Sequence, residues 1–141
     1  MSNKRISPQI RKTIKEQAKY CCEYCLSQEE FSPDTFSIEH IVPRAKDGTN
    51  QPDNLAHACQ GCNNHKHTST DAIDPLVGEI VSLYHPRRDN WDDHFGWNED
   101  CTLMLGLTST GRATIDKLNL NRKGVVNLRS VLHKLDLHPP A

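Results

Sequence analysis

The sequence predicts a small α+β protein: a strand–turn–strand–helix core tied by four cysteines, with a basic helix before it and a helical extension after it. Three observations carry this reading. Two Cys-x-x-Cys pairs, Cys22/Cys25 and Cys59/Cys62, enclose residues 26–58. Between them, FSIEHIVP (residues 36–43) alternates apolar and polar side chains as a half-buried strand does, and halts at proline. At both ends of the chain apolar residues recur at helical spacing. A length of 141 residues suits one domain, with a core at about 20–70 and an extension at about 71–141.

Taken in order, Ser7-Pro8 is a helix start, a capping hydroxyl followed by proline in the first turn. Ile6, Ile10, Ile14 and Ala18 then give one apolar stripe on a helix from about residue 8 to 20. After Cys22-Glu23-Tyr24-Cys25 and a polar loop comes the strand at 36–43. The turn-forming run Asp47 to Asn54 reverses the chain, Leu55 to Ala58 forms a second strand, and Cys59-Gln60-Gly61-Cys62 opens a helix to about His67. Residues 80–107 hold short apolar runs suited to one or two strands. Thr108-Ser109-Thr110 caps a helix across Arg112 to Leu118, and Val125, Leu128, Val131, Leu132 and Leu135 share the face of a last helix.

The net charge of −1 argues against a basic protein that coats nucleic acid. Its distribution is uneven. Residues 1–20 carry Lys4, Arg5, Arg11, Lys12, Lys15 and Lys19 against Glu16 alone, and residues 112–141 are also basic, while the middle is acidic. A phosphate-gripping surface and plain solvated helix faces both fit this pattern. The first residues lack the apolar core of a signal peptide, and no run reaches membrane-spanning length, so a soluble, cytoplasmic protein is expected.

Six cysteines without an export signal point to metal ligands or free thiols, because cytosolic thiols stay reduced. Two paired knuckles supply four thiolates, the donor set of a tetrahedral structural Zn²⁺ with no position open to substrate. Two disulfides, an iron–sulfur cluster and a lone redox pair are the alternatives. Cys21 and Cys101 are left over; Cys101 reads as a small buried hydrophobe.

Between the knuckles stand residues that a zinc staple does not require: Glu39-His40-Ile41-Val42-Pro43, Asn54-Leu55, and Cys62-Asn63-Asn64-His65-Lys66. Together with the Cys-x-x-Cys flanks, this set resembles the HNH endonuclease family over about residues 22–66. HPRRDNWDDHFGW and LTSTGRATIDKLNLNR further along are similar to segments of one group of bacterial HNH proteins. The resemblance implies a ββα-metal core and metal-dependent hydrolysis of DNA, leaving 5′-phosphate and 3′-hydroxyl ends.

By that resemblance His40 is the general base. Glu39 and Asn63 ligate a catalytic divalent cation, and Asn54 holds the turn or orients His40. A carboxylate and an amide oxygen are hard donors, which suits Mg²⁺ or Mn²⁺. His67, four residues after Asn63, is a candidate third ligand if the helix persists. Lys66 and Arg112 are candidate phosphate contacts, each weighed against a solvated role. Arg87, Arg88, Trp91, His94 and Trp97 read as a folding cluster. Each site cuts one strand, so a double-strand cut needs two sites; monomer and homodimer both fit. The alternative is a noncatalytic zinc-ribbon module that binds nucleic acid or protein.

Overall fold

The computed structural model describes residues 6–141, so Lys4 and Arg5 of the basic N-terminal run lie outside the described residues. Helix α1 spans Pro8–Gln17, and the Ser7 side chain caps it by accepting the Ile10 N–H. Only Ile14 of this helix is buried, while Arg11, Lys12 and Lys19 face solvent. The helix stops short of the residue 20 expected from its periodicity. Lys19 and Tyr20 both take left-handed backbone, which turns the chain into the first cysteine knuckle.

The core follows. Strand β1 (Ser37–His40) pairs antiparallel with β2 (Leu55–Ala58), with Glu39 opposite Ala56 and His40 opposite Leu55. Helix α2 (Gln60–Lys66) leaves β2 through Cys59, whose sulfur accepts the Cys62 N–H at its start. This is the strand, turn, strand, helix order predicted from the sequence, although β1 stops at His40, three residues before the expected end.

The extension is built from short pieces. Strands β3 (Asp71–Ile73) and β4 (Ile80–Ser82) form one antiparallel ribbon. After the single helical turn α3 (Trp91–His94), β5 (Phe95–Trp97) and β6 (Met104–Gly106) form another. Helices α4 (Ser109–Leu118) and α5 (Lys123–Lys134) close the chain. Thr108 caps α4 by accepting the Gly111 N–H, so that helix starts before Arg112. Strand β3 and the turn α3 are not apparent in the sequence, because three or four residues are too few to display a period.

The extension docks on the core through polar anchors as well as packing. Trp91 Nε1 donates to the Tyr24 carbonyl at 3.2 Å, and Arg87 Nε donates to the Leu55 carbonyl at 2.9 Å. Arg129 is buried and donates to the carbonyls of Cys25, Leu120 and Thr102, with its guanidinium 5.0 Å from the Trp97 ring centre. One hydrophobic core therefore includes the cysteine knuckles together with Tyr84, Phe95, Met104, Leu118 and Leu120. No helix among the described residues is long and apolar enough to cross a membrane.

Candidate active site and metal centre

The two knuckles meet. All four sulfurs of Cys22, Cys25, Cys59 and Cys62 are buried and lie within 4.8 Å of one another, with Cys25 and Cys59 at 3.7 Å. Such a group is able to hold one ion in a closed, four-sulfur shell. Burial pushes the Cys22 thiol well above its ordinary range, whereas hydrogen bonds from Cys22 and Cys59 draw Cys25 well below. Arg122, at the start of α5, reaches across: Nη2 is 3.4 Å from the Cys59 sulfur and Nη1 is 3.6 Å from that of Cys62. Gly61 makes room for this, since a Cβ there would stand 2.4 Å from Arg122 Nη2.

Alternation along β1 sends Glu39 and His40 to opposite faces. Glu39 turns inward and is 4% exposed. Its Oε1 accepts the Tyr24 hydroxyl at 2.6 Å, and its Oε2 faces the Lys66 ammonium at 2.7 Å. Burial raises the Glu39 carboxyl above its ordinary range, and the Lys66 charge pulls against that rise. Lys66 is itself 1% exposed and donates to the Ile41 carbonyl at 2.8 Å. Lys66, a candidate phosphate contact from the sequence, is thus placed inside the fold, with its ammonium as the internal counter-ion of Glu39.

His40 is half-buried. Its Nε2 lies 2.7 Å from Asn50 Oδ1, and because an amide oxygen only accepts, Nε2 carries the hydrogen. In the neutral ring Nδ1 is then the nitrogen with a free lone pair. The loop that supplies Asn50 is braced by Asn54, whose Oδ1 accepts the Val42 N–H while its Nδ2 donates to the Val42 and Thr49 carbonyls. Gly48 fits the same corner, where a Cβ would overlap the Val42 carbonyl oxygen at 1.7 Å.

On α2, Asn63 is half-buried and lies one turn before Lys66, so the two share a face. His67 does not extend that face. It is the residue after the helix, with φ 52°, and its exposed ring contacts Thr68. His65 is exposed. His57 is fully buried against Phe36 and Glu29 beside the first knuckle. Among the described residues, the four cysteines are the only cluster of three or more Cys, His, Asp or Glu with ligand atoms close enough to share an ion.

Arg112, the other candidate phosphate contact, grips Asp74 with two guanidinium nitrogens, Nε at 3.0 Å and Nη2 at 2.8 Å, as a structural clamp. Tyr24, Asn50, Arg122 and Arg129 emerge only from the structure. Tyr24 sits inside the first knuckle, where the sequence draws the eye to its cysteines.

No curated protein matches the chain. Residues 22–69 match the family model described as HNH endonuclease, a span that takes in both cysteine knuckles, Glu39, His40, Asn54 and Asn63. The chain carries an HNH endonuclease domain built around a buried four-cysteine cluster.

Proposed function

We propose that the protein is a metal-dependent endonuclease that hydrolyses phosphodiester bonds of DNA, with the whole chain 1–141 working as one unit. The observation that carries the reading is the state of His40. His40 is partly exposed at the end of β1, and Asn50 holds Nε2–H, which leaves Nδ1 as a proton acceptor. Taking a proton from water at Nδ1 generates the nucleophile that attacks phosphorus, the P–O3′ bond breaks, and the departing 3′-oxygen takes up a proton to leave a 3′-hydroxyl and a 5′-phosphate. Asn54 keeps the Val42 corner, and with it the loop of Asn50, in one shape.

The four cysteines would hold structural Zn²⁺, and the chain fits it. Four thiolates outweigh a divalent ion by two negative charges, and two guanidiniums stand against the cluster: Arg122 on the sulfurs and buried Arg129 on the Cys25 carbonyl. Among the described residues Arg129 has no carboxylate partner, so a negative cluster beside it is the charge that makes its burial tolerable.

Glu39 and Asn63 would hold Mg²⁺ or Mn²⁺. Lys66 touches Glu39 and shares a helix face with Asn63, which supports the two as neighbours in this ligand set. The ammonium already at Oε2 is the cation that has to yield. When bound, such an ion neutralises charge building on the phosphoryl oxygens and the leaving oxygen. The competing reading, a noncatalytic zinc-ribbon module, draws on this same pair, since the Glu39 charge is already countered inside the fold by Lys66.

Nicking of supercoiled plasmid with Mg²⁺ or Mn²⁺ tests the proposal, comparing wild type with His40→Ala after both are shown to retain zinc. Nicking by wild type and its loss in the variant is expected. Equal nicking by both removes His40 as the base, and none by either across several metals favours the binding module.

A further inference from the structure

Two adjoining cavities, of about 380 Å³ and about 220 Å³, lie beside the end of β1 and share Val42, His85 and Arg88 in their walls. One wall belongs to the core: Ile41 and Val42 in one cavity, Val42, Thr49 and Asn54 in the other. The opposite wall belongs to the extension, at the turn His85–Asp89. Val42 is two residues beyond His40, and both its N–H and its carbonyl are bonded to Asn54. The groove is therefore fixed to the strand that carries the base.

What the extension brings to this groove is a pair of hydrogen-bond donors. Arg88 is exposed, and its guanidinium has no partner among the described residues, whereas the guanidiniums of Arg87, Arg112, Arg122 and Arg129 are all bonded to protein groups. His85 Nδ1 accepts the backbone N–H groups of Arg87 at 3.2 Å and Arg88 at 3.3 Å. The neutral ring then carries its hydrogen on Nε2, and burial holds it below the ordinary histidine range. Asp89, the acid in this turn, is engaged by the His85 N–H at 2.9 Å. The walls also bear the exposed acids Asp47, Asp53 and Asp71. Such a mixed surface suits one phosphate held at a defined place better than a long run of backbone.

We propose that the His85–Arg88 turn is a phosphate-binding element, holding one backbone phosphate of the nucleic-acid strand beside the one that is cut. The assignment rests on the nuclease reading and deepens it: the extension is part of the substrate surface. Arg88 supplies charge and a two-nitrogen fork, and His85 supplies a neutral donor.

The test measures binding of a fluorescein-labelled DNA duplex to the zinc-loaded full chain by anisotropy over a range of salt, with no added Mg²⁺ or Mn²⁺. Steady-state nicking is measured in parallel. Arg88→Ala, His85→Ala and the control Arg11→Ala on exposed α1 are compared with wild type, each checked for zinc content and melting temperature. For Arg88→Ala a roughly fivefold weaker affinity is expected, with the slope of log K against log salt reduced by about one, KM raised and kcat retained. His85→Ala weakens binding with little change in slope, and Arg11→Ala leaves both close to wild type. If Arg88→Ala binds with wild-type affinity and slope while wild type binds and nicks DNA, the element is refuted and the nuclease reading stands. If wild type neither binds nor nicks DNA, the nuclease reading fails and takes this assignment with it.

Discussion

Arg122 Nη2 lies 3.4 Å from the sulfur of Cys59, sixty-three residues earlier in the chain, so the extension reaches the cysteine cluster of the core. With zinc bound, that guanidinium offsets part of the excess negative charge of four thiolates. Removing the charge in Arg122→Gln is expected to weaken zinc retention by roughly 10-fold or more, as loss of outer-shell partners does at other metal sites. Arg122→Lys should keep part of it. Gly61→Ala pushes the guanidinium aside and should act in the same direction. Zinc release to a chromogenic chelator under native conditions reads all three, and identical release rates would reduce Arg122 to a helix anchor.

Glu39 and Lys66 are a buried ion pair, and breaking one leaves the other charged in a dry site. Lys66→Met is expected to cost about 3–5 kcal/mol of stability, and Glu39→Gln with Lys66→Met to recover a good part of that loss. Urea denaturation of both single variants and the double variant measures the coupling. Additive losses would mean that the two side chains do not depend on one another.

Asn54 serves the loop that presents His40. Asn54→Ala deletes three hydrogen bonds and leaves the partly buried N–H and carbonyl of Val42 without these partners, at a cost of about 1–3 kcal/mol. Nicking should fall much further than zinc content, because the cluster lies on other elements. Side-by-side zinc titration and plasmid nicking decide this; equal loss of both would mean global unfolding.

The Asp74–Arg112 clamp gives the fold a pH signature. Hydrogen bonds from Arg112 hold the Asp74 carboxyl well below the usual carboxylate range. A group depressed in the folded state contributes stability above its unfolded pKa, about 3.9 for Asp, and loses that contribution as pH falls through its folded value. Wild type should therefore lose stability as pH falls below about 4, and Asp74→Asn should be less stable near neutrality with a flatter acid limb. Melting temperatures across that range check the sign.

The sequence by itself determined the parts whose signals are local. Ser7 and Thr108 cap helices within three residues of their partners, and the Cys-x-x-Cys pairs, the turn at 47–54 and the order of core elements are each contained in a short window. Strand β1 marks the limit. Alternation separates Glu39 from His40 but cannot say which turns inward, because apolar residues occur on both faces: Ile38 and Val42 with His40, Ile41 and Pro43 with Glu39. Tertiary packing decided it, through Tyr24 from the first knuckle and Lys66 from α2. The same holds for the arginines. Nothing near Arg112, Arg122 or Arg129 in the chain distinguishes a phosphate contact from a clamp on Asp74, a counter-charge on sulfur or a tie to Cys25, since those partners lie 38, 63 and 104 positions away. A guanidinium takes whichever acceptor the assembled fold brings within reach, and that choice is made only once helices α4 and α5 have docked.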